Sequence, residues 1–504
     1  MRVHLLHADR AFDEGGLPPN AADLAADLEL GILLDAGAAG DAYLRETLRR
    51  VLLTSLHDED AARYRQAVLA DCLERPAMVR ELYGLTVAAI TAEAKVWGAF
   101  LDQYAESVLA RATTVLELFA GFLRRLRELS DRCRGTVRSE GFSRLFATLA
   151  EQLDDDYLDE VEAQLERLRF RDGMILSASL GPGNIGAHFV LRRQAPGRGG
   201  ALRRRVPILD RTGYTYKIPD ESESAARDFA ALKSRGISQA AAALAQSTDQ
   251  VLAFFRALRF ELGFYVAALN LHGRLAAKAV TMCMPDPRPA GAGHLVARGL
   301  CDASLALTLA DGVVANDLNP GGKPLIVVTG ANRGGKSTLL RSLGQAQLML
   351  QAGLFVAAEA FEADLRTGVH THFKREEDAT LQSGKLDEEL RRMSGIVDHL
   401  SPGSLLLLNE SFASTNEREG AEIARQIIRP LLDAGVRVVY VTHMFDLADG
   451  FARSESGRAL FLRAERRTDG ERTYRLLEAS PLPTSFGGDV FQRVFGSPPG
   501  DGAG

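Results

Sequence analysis

The sequence predicts an α plus α/β protein: a long helical region carrying one small β insertion, followed by an α/β domain with a mostly parallel sheet. Three observations predict it. Apolar residues recur at spacings of three and four through most of the first 280 positions. Gly, Pro and β-branched residues break that pattern once. Beyond residue 282, short apolar runs alternate with helical stretches.

The helical region is read as residues 1–281. Phe12-Asp13-Glu14 reads as part of an ordinary polar start. Val115, Phe119, Phe122, Leu126 and Leu129 then repeat at helical spacing, as do Phe142, Leu145, Phe146, Leu149 and Leu153, followed by Leu158, Val161, Leu165 and Leu168. The break spans residues 173–221 and predicts a few short strands and turns. It carries Arg192, Arg193, Arg198, Arg203, Arg204 and Arg205, with no acid from Gly173 to Leu209. Such a cluster can neutralise DNA backbone phosphates without reading bases; an ordinary solvated Arg-rich loop is the other reading. Helical spacing resumes through Phe229, Leu232, Leu244, Val251, Phe255, Leu258, Leu262, Val266 and Leu269.

The α/β domain is read as residues 282–496, with 497–504 a disordered tail. Its strands are "PLIVVTG", "SLLLLNE" and "VRVVYVTH", and "ALFLRAERRTDGERTYRLLEA" predicts a hairpin around Asp469-Gly470. A length of 504 residues exceeds one core, and 46% hydrophobic with 25% charged residues suits a folded chain. The net charge of -6 excludes a wholly basic nucleic-acid coat, although a local basic patch remains possible. Cys72, Cys133, Cys283 and Cys301 lack metal-ligand spacing and read as free thiols in a reducing compartment. With no apolar signal core and no apolar stretch long enough to span a bilayer, the expectation is a cytoplasmic protein without a membrane segment.

"GANRGGKST", residues 330–338, has the spacing Gly330-x-x-x-x-Gly335-Lys336-Ser337, preceded by an apolar strand and followed by a helix. Glycines there let backbone N–H groups turn toward phosphates, and the helix N-terminus adds partial positive charge. Gly330, Ala331, Asn332, Arg333, Gly334, Gly335, Lys336, Ser337 and Thr338 are therefore the candidate ATP-binding loop. Lys336 is assigned to the β- and γ-phosphates and Ser337 to Mg²⁺. "LLLLNE" brings Asn409 and Glu410 to a strand end, Asn409 toward the magnesium water and Glu410 as the base for the attacking water. "VVYVTH" ends at His443, a candidate γ-phosphate sensor.

Taken together, "LIVVTGANRGGKSTLLR", "LLLLNESFAST" and "VTHMFDL" resemble the ATPase domain of the MutS DNA mismatch-repair family, a branch of the ABC-type ATPases. The resemblance covers about residues 295–496 and includes "VVANDLN", similar to the family's segment beside the adenine, and "SFGGDV", similar to its "SYG" stretch. It implies a helical core-and-lever region before a P-loop ABC-type ATPase domain. It also implies Lys336, Glu410 and His443 as catalytic residues, Val314 and Asn316 near the base, ATP and Mg²⁺ bound, and a homodimer whose sites are completed in trans. "LQSGKLDEEL" is the candidate trans signature, with Ser383 facing the partner's γ-phosphate. The family's mismatch-binding and connector domains have no room in this chain, and the insertion at 173–221 falls where the family places a DNA clamp. Departures from the family are Asn409 for Asp, Arg333 for Met and Val313 for an aromatic. The expected activity is slow ATP hydrolysis gating DNA binding, in mismatch repair or the processing of branched DNA. The alternatives are a clamp with vestigial hydrolysis, or an ABC-type ATPase acting on a protein partner.

Overall fold

The computed structural model of the chain describes residues 2–97, 105–170, 174–184, 186–192, 223–310, 312–375, 384–467 and 472–483. The helical stretch comprises α1 (Ala21–Asp27), α2 (Leu30–Ala38), α3 (Ala42–Leu53), α4 (Glu59–Glu74), α5 (Pro76–Trp97), α6 (Ala105–Cys133), α7 (Glu140–Gln152) and α8 (Asp155–Leu168). Strands β1 (Ile175–Leu180) and β2 (Gly186–Arg192) pair antiparallel, and one 55-residue helix, α9 (Glu223–Ala277), follows. Next come β3 (Asp286–Arg288), β4 (Leu295–Leu300), α10 (Ala303–Thr308), β5 (Asn316–Leu318), β6 (Leu325–Thr329) and α11 (Lys336–Gln351). The chain continues through β7 (Ala360–Asp364), β8 (Val369–Phe373), α12 (Lys385–Val397), β9 (Leu405–Asn409) and α13 (Glu417–Asp433). It closes with β10 (Arg437–Val441), α14 (Phe445–Ser454), β11 (Ala459–Arg466) and β12 (Arg472–Glu478).

Two compact units follow packing rather than chain order. One is Met1–Val3, Arg80–Thr136 and Ser143–Phe260; the other is His4–Val79, Val137–Phe142 and Glu261–Gly504. The boundary drawn at 281/282 from sequence falls inside the second unit, because helices α1 to α4 pack with the sheet that follows them by more than two hundred residues. In the first unit, the apolar stripes of α6, α8 and α9 meet; Phe119 and Phe255 are buried with ring centroids 5.4 Å apart. Asp154 caps α8 by accepting from Tyr157 N–H, which satisfies one of the unpaired amides of the first turn.

The second unit is built on a six-stranded sheet of order β12-β11-β6-β10-β9-β8, parallel except for β12. Alternate side chains go to opposite faces. Leu325, Val327, Leu406, Leu408, Val438 and Tyr440 pack against α13 and α14. Leu407 points to α11, where Gly344 leaves the space: a Cβ there would lie 2.8 Å from Leu407 and 2.6 Å from Leu28. A smaller sheet, β3-β7-β4-β5, lies outside the strands expected from sequence, since its segments of three to six residues carry too little periodicity to register.

Asp13 and Glu14 are exposed, but Leu5 to His7, ahead of Phe12, are buried. Leu5 and Leu6 are fully buried, with their N–H groups donating to Glu261 Oε2 at 2.5 and 3.1 Å. The Tyr265 hydroxyl donates to Leu5 O at 2.6 Å, and Arg65 Nε donates to Leu6 O at 2.8 Å. Phe12 folds back so that its ring lies 6.0 Å from that of His7.

Burial outweighs these donors and Arg65, pushing the Glu261 carboxyl up to about 7. The folded chain therefore holds a proton that the unfolded chain releases between the ordinary carboxyl range and pH 7, so this group's contribution to stability falls as pH rises through that window. Glu261→Gln keeps the acceptor and removes the titration. The variant is expected to gain on the wild type by about 2 kcal/mol between about pH 5 and pH 7 in urea denaturation; a pH-independent difference would refute this.

Candidate functional site

The glycine-rich loop leaves β6, a strand buried at every position, and ends in α11. Its glycines are required by contact as well as by backbone conformation. Gly330 has φ 113° and a Cβ there would meet Ala464 N at 2.9 Å; one at Gly334 would meet Ala464 Cβ at 2.7 Å. Arg333 adopts φ 60°, uncommon for a non-glycine residue and a mark of constraint. Lys336 is buried, its Nζ donating to Gly330 O at 2.9 Å and Ala331 O at 3.1 Å. Burial lowers its pKa, against the opposing charge of Glu410.

The neighbouring strand ends bring the other predicted residues to this loop. Ser337 Oγ donates to Asn409 Oδ1 at 2.9 Å, joining the two residues assigned to Mg²⁺. Glu410 follows β9 with φ 53°, and its N–H donates to Val441 O at 2.9 Å. His443 Nδ1 lies 3.8 Å from Glu410 Oε1, beyond hydrogen-bond length. The closeness of His443 foremost, then the charges of Lys336 and Lys374, hold this half-buried carboxyl below its usual range.

The segment after Glu410 is fixed from α12, a connection the sequence reading missed. Glu389 of α12 accepts from Phe412 N at 2.6 Å and Ser414 Oγ at 2.5 Å. His372 Nδ1 lies 2.7 Å from Ser411 Oγ, and its ring stacks on Phe412. Ser383 lies outside the described residues; α12 begins directly after Gly384.

A cleft of about 370 Å³ adjoins the loop, lined by Leu305, Val314, Asn316, Arg333, Thr338 and Tyr474 among others. Tyr474, half exposed on β12, was not singled out from sequence. Its backbone is tied to Asn316, whose Nδ2 donates to Tyr474 O at 3.2 Å and whose Oδ1 accepts from Leu476 N at 2.8 Å. Lone aromatics in hairpins carry no sequence signal; only the pairing of β11 with β12 brings this one to the loop.

Of the six insertion arginines, Arg192 is described: it ends β2 and donates from Nε to Ser177 Oγ at 2.8 Å. Arg193, Arg198, Arg203, Arg204 and Arg205 lie outside the described residues. Among the described residues no three His, Cys, Asp or Glu side chains gather as a metal cluster, and no helix is long and apolar enough to cross a membrane.

Fold and site define an α/β protein with a glycine-rich strand–loop–helix at the carboxyl edge of a mostly parallel sheet. Residues 57–278 match the family model described as MutS2 N-terminal domain, and residues 326–498 that described as MutS domain V. The chain belongs to the MutS family. It is similar to Endonuclease MutS2 of Thermus thermophilus, 33% identical over 133 residues, which is 26% of this chain and 18% of the relative. It is likewise similar to Endonuclease MutS2 of Lactiplantibacillus plantarum, 33% identical over 191 residues, 36% and 23% of the two chains. DNA mismatch repair protein MutS 2 of Haloarcula marismortui is 32% identical over 182 residues, 36% and 19%. The chain spans about a fifth of the length of these curated relatives.

Glu389→Ala strands the buried Phe412 N–H and the Ser414 hydroxyl. A loss of about 2 kcal/mol is expected in urea denaturation, from the cost of unsatisfied buried donors; a change under about 0.5 kcal/mol would remove Glu389 from this role.

Proposed function

We propose that the chain is a P-loop, ABC-type ATPase of the MutS kind, hydrolysing ATP slowly as a cytoplasmic homodimer and using it to gate a hold on DNA. In this reading residues 1–281 form the core-and-lever region and 282–496 the ATPase domain. The observation that carries it is the convergence of Lys336, Ser337, Asn409, Glu410 and His443 at the carboxyl ends of β6, β9 and β10.

The glycines let the loop lie close against Ala464 and Tyr474, and the amides from Gly330 to Thr338 with the start of α11 complement phosphate charge. Lys336 exchanges its bonds to loop carbonyls for the β- and γ-phosphates. Ser337 and Asn409 would hold Mg²⁺, which would supply neutralisation of phosphate charge. The amide at 409 would offer an oxygen toward that ion without negative charge, which supports a slow rate. Glu410, a carboxylate that its neighbours hold below the usual range, takes the proton of the attacking water, and His443 orients that water. Ser383 of a second copy completes the site, and Tyr474 supplies the face for the adenine beside Val314 and Asn316, in place of the aromatic absent at Val313.

DNA as the partner is supported by the names of the relatives, two endonucleases and a DNA mismatch repair protein, and by Arg192, Arg193, Arg198, Arg203, Arg204 and Arg205 in the insertion. Such side chains contact backbone phosphates and make binding salt-sensitive.

In a steady-state ATPase assay Lys336→Ala and Glu410→Gln are each expected to lower turnover by roughly a hundredfold, the scale of a lost general base; wild-type turnover no higher than the variants sinks the hydrolysis reading. Tyr474→Ala is expected to weaken ATP binding about tenfold, the scale of one base–aromatic stack, and an unchanged Kd would remove it from the base site. Changing Arg203, Arg204 and Arg205 together to Ala is expected to weaken DNA binding and flatten its salt dependence in gel-shift titrations; unaltered affinity excludes the insertion.

A further inference from the structure

A second cavity lies at the opposite edge of the same sheet. Its wall is made by the segments that enter β6, β8, β9 and β10, and it encloses about 370 Å³. Five-residue strands rising about 3.3 Å per residue separate it from the glycine-rich loop by about 15 Å.

Two guanidiniums and one carboxylate line it. Arg366 and Arg437 are 4% and 3% exposed, and Asp364 is fully buried. Arg366 Nη2 donates to Asp364 Oδ1 at 2.5 Å, while Asp364 Oδ2 accepts from Gly293 N at 3.1 Å. Arg437 donates to Gly293 O at 2.6 Å and His294 O at 3.4 Å, with Nη1 3.9 Å from Asp364 Oδ1. The bond to Asp364 is the one hydrogen bond of the Arg366 side chain among the described residues, and its Nε is buried without a partner.

This arrangement is short of one negative charge. Burying an unpaired cation costs several kcal/mol, and two neighbouring guanidiniums repel each other. Burial foremost, then the charge of Arg366, pushes Arg437 down to about 10. Glycines with positive φ at 291, 293, 322, 403 and 435 bring backbone around the pair without placing a side chain before it. Guanidinium forks match planar or tetrahedral oxyanions, donating to two of their oxygens at once.

We propose that this cavity binds an oxyanion group of a small molecule, phosphate or carboxylate, through Arg366 and Arg437, at a site separate from the nucleotide loop. The test is the thermal midpoint of the full chain titrated at constant ionic strength with inorganic phosphate and, separately, malonate. A rise of about 3 °C is expected once the anion exceeds its Kd roughly tenfold. The larger response to phosphate assigns a phosphorylated ligand, and the larger response to malonate a carboxylate. The rise should persist in Lys336→Ala, which disables the phosphate loop, and vanish in Arg366→Gln. Gly435→Asp is the second variant: φ there is 80°, which Asp tolerates, and a Cβ would meet only Pro402 at 3.7 Å. Its own carboxylate should occupy the cavity and abolish the response. No rise with either anion, a rise lost in Lys336→Ala, or a rise retained in Arg366→Gln or Gly435→Asp overturns the proposal.

Discussion

The second unit depends on the burial of one polar-studded helix. From Lys336 to Gln351, α11 is covered by sheet on one side and by N-terminal helices on the other, and three of its buried residues are glutamines. Each amide must find partners or cost free energy. Gln345 Nε2 donates to Leu28 O, Asp302 Oδ1 and Ser304 Oγ; Gln347 Nε2 donates to Asp364 O; Gln351 Nε2 donates to Leu56 O and Arg366 O. Apolar packing alone tolerates sliding, whereas these bonds admit one register. The helix is thereby fixed against chain segments on either side of it, and its first residue is Lys336.

That rigidity explains how a loop with several strained residues holds its form. Gly330, Arg333 and Gly335 all have positive φ, as do Glu410 and Phe412 across the cleft. At Arg333, Glu410 and Phe412 such conformations cost free energy and persist where their surroundings over-determine them. On one side the surroundings are β6 and α11; on the other they are Glu389, His372 and Tyr440, whose hydroxyl donates to Ser411 O at 2.5 Å. Asn409 fits the same logic, since its carbonyl oxygen already receives the Ser337 hydroxyl and so keeps the geometry of the pair while giving up its charge.

The sequence was most legible where a local pattern carries the structure. Strands β6, β9 and β10 are unbroken apolar runs, as expected for strands buried on both faces, and the glycine spacing marks the loop because no side chain fits there. The runs flanking Asp469-Gly470 pair antiparallel as β11 and β12, while those two residues lie outside the described residues. Partners brought from far along the chain were illegible. His4 to Leu6 look unremarkable until Glu261 and Tyr265 face them, and Tyr474 is an isolated aromatic until Asn316 ties down its strand. The division into two packing units does not coincide with the composition shift near residue 281, for the same reason: helical periodicity shows that α1 to α4 are helices and says nothing of what their apolar faces cover.

The bond between Gln345 and Leu28 O joins residues 317 positions apart, and that separation bears on synthesis. Chains emerge from the ribosome amino end first, and early domains usually close on their own. Here Leu28, which precedes α2, packs on Gly344 of α11, so this part of the amino-terminal apolar surface is covered only once α11 has been made. Until then Leu28 lacks that cover. The second unit is in this sense assembled after the fact, around a helix that its amino-terminal segment must wait for.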